Sequence, residues 1–566
     1  MSEAWHRQRG GGCVDSRPGF RIDEERLRRQ VEIAERIERS DGVVVLKAPT
    51  GFGKTEAWFA PFLNQWLKGE WFAPRMYVVE PVHALLRQMK ERARAYVSIL
   101  KQAKVTVDED HGESLRPAYL YAGVVTLTTI DSLVYGYLAQ RVRRWRWGEE
   151  ERGYYTFPAG LLATSYIVFD EAHLVQDEVY LGPRLFGKVI CDLARAGAKV
   201  VISTATIPDS FLKHLDCEYT VINLLEGRRD VAIQYRRKPL SADELLSMLD
   251  CNRSNLVVVN TIRKARELYR SIKKKCGENV WVVHSLMRRH EREEALKSIA
   301  GKIGCRKQEG GQGAVLIGTQ AVEVGIDLDF DVLYTELAPI DSLIQRIGRV
   351  GRRQKGEAHI FEVESAEPYY QRLVEKTRKT VWDDPERLAK WREADIYVND
   401  VYDEELVCEL AARGDELYGE ALAYMAELTL FSYPPEREIR LRPSRYITIS
   451  LTDVEGDSVS LSKIEEGMIR FSFEDIEKSD ICRLRNALGK IVAYVPARES
   501  EGRVRLRKVE VRSCRDLLRY ETLIIPKEEV EMFYDDAGLK VEALRDYATD
   551  RKKGSPKRSK GRRGSP

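Results

Sequence analysis

Residues 42–58 read GVVVLKAPTGFGKTEAW: a β-branched apolar run, a glycine-bearing loop, then a helical pattern. The apolar run predicts a buried strand. Ala48 to Thr55, which includes Thr50, Gly51, Gly53 and Lys54, forms a phosphate loop with alanine in place of the usual first glycine. Gly51 and Gly53 permit the tight curl that turns backbone N–H groups toward phosphate oxygens. Lys54 places positive charge at the β and γ phosphates, and Thr55 offers a hydroxyl to Mg²⁺. The plain alternative is a glycine-rich turn before a helix. The strand, GKT and helix in that order speak against it, so ATP and Mg²⁺ are the expected ligands.

Outward from this loop the pattern repeats. GVVVLKAPT, MYVVEP, GVVTLTT, SYIVFDEA and AKVVISTAT alternate with helical stretches from about residue 20 to 226. NLVVVNT, VWVVHS, AVLIGTQ, DVLYTEL and GEAHIFEV do the same from 227 to 380. Such alternation predicts parallel sheets covered by helices, here two α/β units in tandem. Residues 381–440 read as helical. RYITISL, KIVAYV and ETLIIP give the stretch to 545 a strand-rich part, so 381–545 is expected to be a mixed α+β accessory region. Residues 1–19 look like a ragged N-terminal extension. Residues 546–566 form a basic tail ending RKKGSPKRSKGRRGSP, expected to be disordered, with nucleic-acid contact the second reading.

YIVFDEAHL (166–174) places Asp170 and Glu171 at the C-terminal end of a strand, the sheet edge where the phosphate loop also lies. Asp170 is expected to hold Mg²⁺, Glu171 to activate the attacking water, and His173 to couple this site to its neighbours. In IDSLIQRIGRVGRR (340–353) a helix is expected, with Leu343, Ile344, Ile347 and Val350 as its apolar face and Arg346, Arg349 and Arg353 elsewhere. Ser342 and Gln345 have capping-box spacing. Arg349 and Arg352 are expected to meet a γ-phosphate across the cleft between the two units, with Gly348 and Gly351 allowing close backbone approach.

In order, APTGFGKTEA, VEPVHALLRQM, TLTTIDSL, FDEAHL, STATIP, VVNTIRKA, VVHSLMRRHERE, GTQAVEVGIDLDFD and APIDSLIQRIGRVGR resemble the motifs of a superfamily 2 (DEAD/DEAH-box) helicase. Their flavour resembles the CRISPR-associated helicase of type I systems. The resemblance implies two tandem RecA-like domains forming a helicase core, and 3′→5′ movement on single-stranded DNA. It implies that Gln30 reads adenine, that Gly325 and Asp327 contact nucleotide, and that Gln345 helps position water. Thr204 and Thr206 would couple hydrolysis to movement. Pro81, Arg87, Thr129, Asn260, Ser285 and Thr319 would touch the nucleic-acid backbone. A CRISPR RNA-guided surveillance complex is the implied partner.

One departure stands out. Fused members of that family carry an HD-type metal nuclease, yet none of the eight histidines here precedes an aspartate. DEDHGE (108–113) is the acidic cluster with a histidine, expected to be solvated loop. The chain is therefore expected to be a stand-alone helicase whose HD nuclease is a separate polypeptide. A general repair or RNA helicase, and an ATP-gated clamp that never translocates, stay open as alternatives. RVRRWRWG (141–148) mixes arginine with tryptophan and reads equally as a base-stacking segment or a packed helix end.

Composition agrees with a large multidomain chain. The 566 residues exceed one ordinary core, and 32% are charged, against ~25% in a typical globular chain. That suits the ion-paired surface of a thermophilic protein. Nine cysteines without any C-x-x-C spacing predict reduced thiols, no zinc site and a cytoplasmic location. No apolar run of about 18 residues predicts a membrane span.

Overall fold

The computed structural model describes residues 24–81, 83–100, 104–111, 123–140, 157–175, 177, 179–303, 313–323, 328–352, 355–431, 435, 439–441, 446–454, 456–472, 492–500, 503–510, 522–529 and 534–539. The residues divide into two compact units. One comprises 1–145, 149–284 and 295–443; the other 146–148, 285–294 and 444–566.

The first unit holds two parallel sheets. The first sheet contains β1 (Val43–Lys47), β2 (Met76–Glu80), β3 (Val107–Asp110), β4 (Val125–Thr129), β5 (Tyr166–Phe169), β6 (Lys199–Thr204) and β7 (Tyr219–Asn223). Their order is β3-β4-β2-β5-β6-β1-β7. β1, β2, β4 and β5 are buried throughout, as continuous apolar runs in a two-sided sheet should be. The second sheet contains β8 (Val231–Pro239), β9 (Ser254–Val258), β10 (Val280–Val283), β11 (Ala314–Gly318), β12 (Val332–Glu336) and β13 (Gly356–Glu362), in the order β10-β11-β9-β12-β13-β8. Both sheets are parallel, as the strand runs in the sequence led us to expect, and RecA-like, as the resemblance implied.

The helices that position the site are α1 (Glu24–Arg39), α2 (Lys54–Lys68), α3 (His83–Val97), α4 (Ile130–Tyr137), α5 (Leu181–Arg195), α6 (Ile262–Cys276) and α7 (Ile340–Ile347). Three more, α8 (Trp391–Val401), α9 (Glu404–Arg413) and α10 (Asp415–Phe431), belong to the same unit. They touch both lobes. The Tyr424 hydroxyl donates to the Leu138 carbonyl beside the first sheet (3.0 Å), and the Tyr402 hydroxyl to Asp341 in the second lobe (3.1 Å).

The second unit, described by itself, is built on a mixed sheet. β14 (Tyr446–Thr452), β15 (Ser458–Ser460), β16 (Met468–Ser472), β17 (Val492–Ser500), β18 (Arg503–Glu510) and β19 (Thr522–Pro526) run in the order β15-β18-β17-β19-β14-β16. β14 and β19 are parallel and the other pairs antiparallel. Among the described residues no helix is long and apolar enough to cross a membrane.

Three expectations are corrected here. The start of DEDHGE is not solvated loop: Val107–Asp110 is a strand paired with β4, and Asp110 and His111 are buried. Its pairing with a buried neighbour outweighs its poor strand composition. Reduced thiols are not what the structure has at four of the described cysteines: Cys191 pairs with Cys217 and Cys251 with Cys276, with Cα atoms 5.4 and 5.5 Å apart, while Cys408 is a free thiol. Partners 26 and 25 residues apart meet only once the chain folds, so spacing does not announce them. The helix read over 340–353 ends at Ile347. It starts after Pro339 without a side-chain cap, and Ser342 donates its hydroxyl to Glu323 (3.2 Å) instead of serving a capping box. RVRRWRWG, the N-terminal extension and the basic tail lie outside the described residues.

Candidate functional site

The phosphate loop leaves β1 and enters α2 through Gly53, whose φ of 94° is left-handed. A Cβ there would collide with the Gln30 side-chain amide, which donates to the Phe52 and Gly53 carbonyls (3.4 and 3.3 Å). Glycine is thus required by the backbone, and a methyl there would also displace the Gln30 amide. Gln30, on α1, sits against the loop. Gly51 is also left-handed, with φ 77°. Thr50 is half-buried in the loop, and Thr55 lies buried in the first turn of α2. The Lys54 ammonium donates to the Ala48 carbonyl (3.1 Å).

Asp170 and Glu171 follow β5, as expected. Asp170 Oδ1 accepts from the Ser203 hydroxyl (2.7 Å) and from the Glu171 amide (3.1 Å). Burial, and then the charge of Glu171, push its carboxyl up to about 6. Glu171 has φ 47°, a strained setting for a non-glycine residue of the kind found at functional sites. Burial pushes its carboxyl up, but Lys54, His173, Arg349 and Arg352 outweigh that and hold it below the usual range. His173 Nδ1 lies 3.4 Å from Glu171 Oε2 and 3.2 Å from the Thr204 hydroxyl. Burial holds the ring down to about 4, so it is neutral near pH 7. Thr204 in turn accepts from the Thr206 amide and donates to the Thr206 carbonyl (3.1 Å each). DEAH box and STAT segment are therefore one hydrogen-bonded string.

The second lobe brings α7 and the turn after it. Gln345 is buried, and its Nε2 has no hydrogen-bond partner among the described residues. Arg349 is half-buried with Nε donating to the Glu323 carbonyl (3.1 Å), and Arg352 is exposed with Nε on the Gly348 carbonyl (2.7 Å). Both charges reach Glu171. Gly351, at φ 72°, is needed for a different approach than expected. A Cβ there would lie 2.7 Å from the Asp230 carbonyl oxygen, so the glycine packs the turn on its own lobe.

Arg346 corrects the sequence reading, which turned it away from the apolar face. It is fully buried and pairs with Glu323 (2.8 Å). It also donates to the Thr335 hydroxyl (2.9 Å), the Glu336 carbonyl (3.1 Å), Asn260 Oδ1 (3.2 Å) and the Tyr369 hydroxyl (2.9 Å). A buried guanidinium is stable only with such complete pairing. Glu80, at the end of β2, also escaped notice. Both its oxygens are buried without a partner among the described residues. Burial, with Asp170 and Glu171 close by, raises its carboxyl well above the ordinary range.

The expected nucleic-acid residues divide. Pro81 is buried at the end of β2 and Thr319 at the end of β11, both at C-terminal sheet edges. Arg87 lies on α3, and Ser285 follows β10 half-buried. Thr129 instead spends its hydroxyl capping α4, accepting from the Ser132 amide (3.3 Å). Asn260 is buried, with Nδ2 on the Leu337 carbonyl (2.8 Å) and Oδ1 on Arg346. Both side chains serve the protein's own structure. Gly325, Asp327 and Arg353 lie outside the described residues.

Two RecA-like sheets in tandem, with a phosphate loop and a DEAH box on the first, define the core of a DEAD/DEAH-box helicase. The DEAD/DEAH box helicase family matches residues 28–215, and the C-terminal family of the CRISPR-associated nuclease/helicase Cas3 matches 251–355. The chain is 47% identical over 561 residues to the CRISPR-associated helicase Cas3 of Thermoproteus tenax, covering 96% of this chain and 95% of that one. It therefore belongs to the CRISPR-associated Cas3 helicase family. It is also 25% identical to the CRISPR-associated nuclease/helicase Cas3 of Methanothermobacter thermautotrophicus, but over 56% of this chain and 39% of that longer one. In fold it is similar to the crystal structure of T. fusca Cas3, with a TM-score of 0.59 at 17% identity, over 88% of this chain and 67% of that one. A structure of a CRISPR RNA-guided surveillance complex before nicking contains a chain of similar fold, with a TM-score of 0.55 at 17% identity over 88% of this chain and 66% of that one.

Proposed function

We propose that this chain is an ATP-driven motor that moves on single-stranded DNA and unwinds target DNA in CRISPR interference. It would work in the cytoplasm with a separate HD-family nuclease and an RNA-guided surveillance complex. The observation that carries the reading is the convergence of Lys54, Glu171, Arg349 and Arg352, from two sheets, in one electrostatic neighbourhood.

The atoms present fit a bound triphosphate. Glu171 Oε2 and Gln345 Nε2 are buried without hydrogen-bond partners among the described residues, and Lys54 rests on loop carbonyls. In the reaction Lys54 turns to the β and γ phosphates. Glu171 takes a proton from the attacking water, with Gln345 helping to orient it. The water oxygen bonds to the γ phosphorus as the bond to the bridging oxygen breaks. Arg349 and Arg352 meet the charge that grows on the γ-phosphoryl oxygens, a contribution worth roughly 10³ to 10⁵ in rate elsewhere. Mg²⁺ held by Thr55 and Asp170 would withdraw charge from the phosphate oxygens. His173, Thr204 and Thr206 carry the change at Glu171 to the next strand. Gln30 would read the adenine from α1, beside the loop. Pro81, Arg87 and Thr319 are the proposed backbone contacts to the nucleic acid.

The lack of any His-Asp dipeptide in the sequence supports the separate nuclease. Purified chain should hydrolyse ATP faster with single-stranded DNA than with RNA. Lys54→Ala should abolish turnover, and Glu171→Gln should keep ATP binding while blocking hydrolysis. The same preparations should leave single-stranded DNA uncut in Mg²⁺ or Mn²⁺. Undiminished turnover in either variant rejects the motor assignment, and cutting that co-purifies with the chain rejects the separate nuclease.

A further inference from the structure

Lys47 is the last residue of β1, and Ala48 of the phosphate loop follows it. It closes an otherwise apolar strand with a charge, and it is buried. Its ammonium pairs with Asp209 (3.0 Å), which follows the STAT segment, and with Asp395 of α8 (3.4 Å). α8 reaches the same place a second time. Asn399 accepts from the Asp209 backbone N–H (2.7 Å), and its own amide donates to the Asp395 carbonyl (3.0 Å). One helix thus holds the strand that delivers the phosphate loop and the segment that follows STAT.

The apolar side of α8 belongs to the second lobe. Ala394, Val398 and Val401 are buried in one cluster with Ile340, Leu343 and Ile344 of α7. Tyr402, just past the end of α8, donates its hydroxyl to Asp341 in the first turn of α7 (3.1 Å). α7 leads directly into the turn of Arg349 and Arg352. Apolar burial is non-directional and tolerates small slides. A buried charge pair weakens as its partners separate, and an unpaired buried ion is costly, so it favours one spacing. We propose that Lys47 and Asp395 are positioning residues for ATP hydrolysis, which make α8 a strut between the strand that carries the phosphate loop and the helix that carries the arginine turn. This role rests on the motor reading above. It extends that reading to a helix outside both sheets and outside the nucleotide motifs.

The test measures ATP turnover and AMP-PNP affinity, with Mg²⁺ and single-stranded DNA present, in Asp395→Asn, Tyr402→Phe and the double variant. Asp395→Asn removes one charge at nearly constant shape, and Tyr402→Phe removes the hydroxyl at the other end. Each should cut turnover about fivefold or more while AMP-PNP affinity changes less than about twofold, the split expected of groups that act on the hydrolytic step. Because both ends serve one strut, the double variant should lose no more than about twice what the worse single variant loses. Asp395→Glu, which keeps the charge, should hold turnover within about threefold of the unaltered protein. If Asp395→Asn does not fold, Asn399→Ala takes its place in the cycle, because it releases the Asp209 backbone without unpairing a charge. Unchanged turnover in the single variants, losses that multiply in the double variant, or AMP-PNP affinity that falls as far as turnover overturn the strut while leaving the motor intact. An unaltered protein that neither binds AMP-PNP nor hydrolyses ATP overturns the motor reading and the strut together.

Discussion

Arg346, Arg349 and Arg352 are three residues apart, chemically identical, and set in three environments. Arg346 is fully buried and paired, Arg349 half-buried on the Glu323 carbonyl, and Arg352 exposed. Only the last two keep a route to Glu171, so they are the ones we expect to act on phosphate. Lysine keeps the charge and loses the fork that grips two oxygens. Arg349→Lys and Arg352→Lys should each cut turnover at least tenfold, about 1.4 kcal/mol in the barrier, with much smaller loss of ATP affinity. Arg346→Lys should instead lower the unfolding midpoint, because it leaves buried Asn260, Thr335 and Tyr369 groups without their donor. Losses at 349 and 352 confined to DNA affinity would make the turn a nucleic-acid face. The sequence set Arg346 and Arg349 alike off the apolar face of the helix. It did not reveal which one is swallowed by the core, because Arg346's partners come from Asn260, Glu323 and the β12 end, all distant along the chain.

At the scale of elements, legibility followed hydrophobic continuity. β1, β2, β4, β5 and β9 are short apolar runs and were readable as strands at once. β3 (VDED), β7, with its exposed Tyr219 and Val221, and β8, with its run of Arg236, Arg237 and Lys238, were not. Each is at or near a sheet edge, where one side is relieved of the demand to be apolar. The end of α7 was misread for another reason. Its apolar spacing continues to Val350, but Gly351 takes a left-handed φ to fit against Asp230, and the chain leaves the helix before that. The N-terminus of α2 was legible because its glycines have a single reason to be there. Gly53→Ala should therefore spoil the loop and leave the helix. Forcing alanine to φ 94° costs roughly 1–2 kcal/mol, and its methyl displaces the Gln30 amide. ATP affinity should fall at least tenfold while far-ultraviolet circular dichroism stays unchanged. A variant that binds ATP normally would show that the loop tolerates another path.

Across the whole molecule, the helices after residue 390 do something the linear pattern did not announce. The sequence grouped 381–440 with the strands that follow. Contacts group α8, α9 and α10 with the two sheets. The buried Lys47 at the end of β1 is paired to Asp395 of α8 (3.4 Å) as well as to Asp209 (3.0 Å), and Arg184 of α5 donates to Asp415 of α10 (2.7 Å). Among the described residues one disulfide lies in each lobe, Cys191–Cys217 in the first and Cys251–Cys276 in the second. Loops of this size are worth about 3 kcal/mol each in the chain-entropy account. Reduction should lower the midpoint of denaturant unfolding, and Cys191→Ser with Cys251→Ser should reproduce the drop without reductant. Full alkylation of all four thiols in the untreated protein would contradict the pairing.

The same staples change what a broken backbone looks like. A single protease cut between Cys191 and Cys217 divides the polypeptide but not the molecule. Without thiol it would migrate near full length on a denaturing gel; with thiol it would separate into two bands. A cut inside that loop would thus stay hidden on a non-reducing gel, and integrity of this chain has to be judged under reducing conditions.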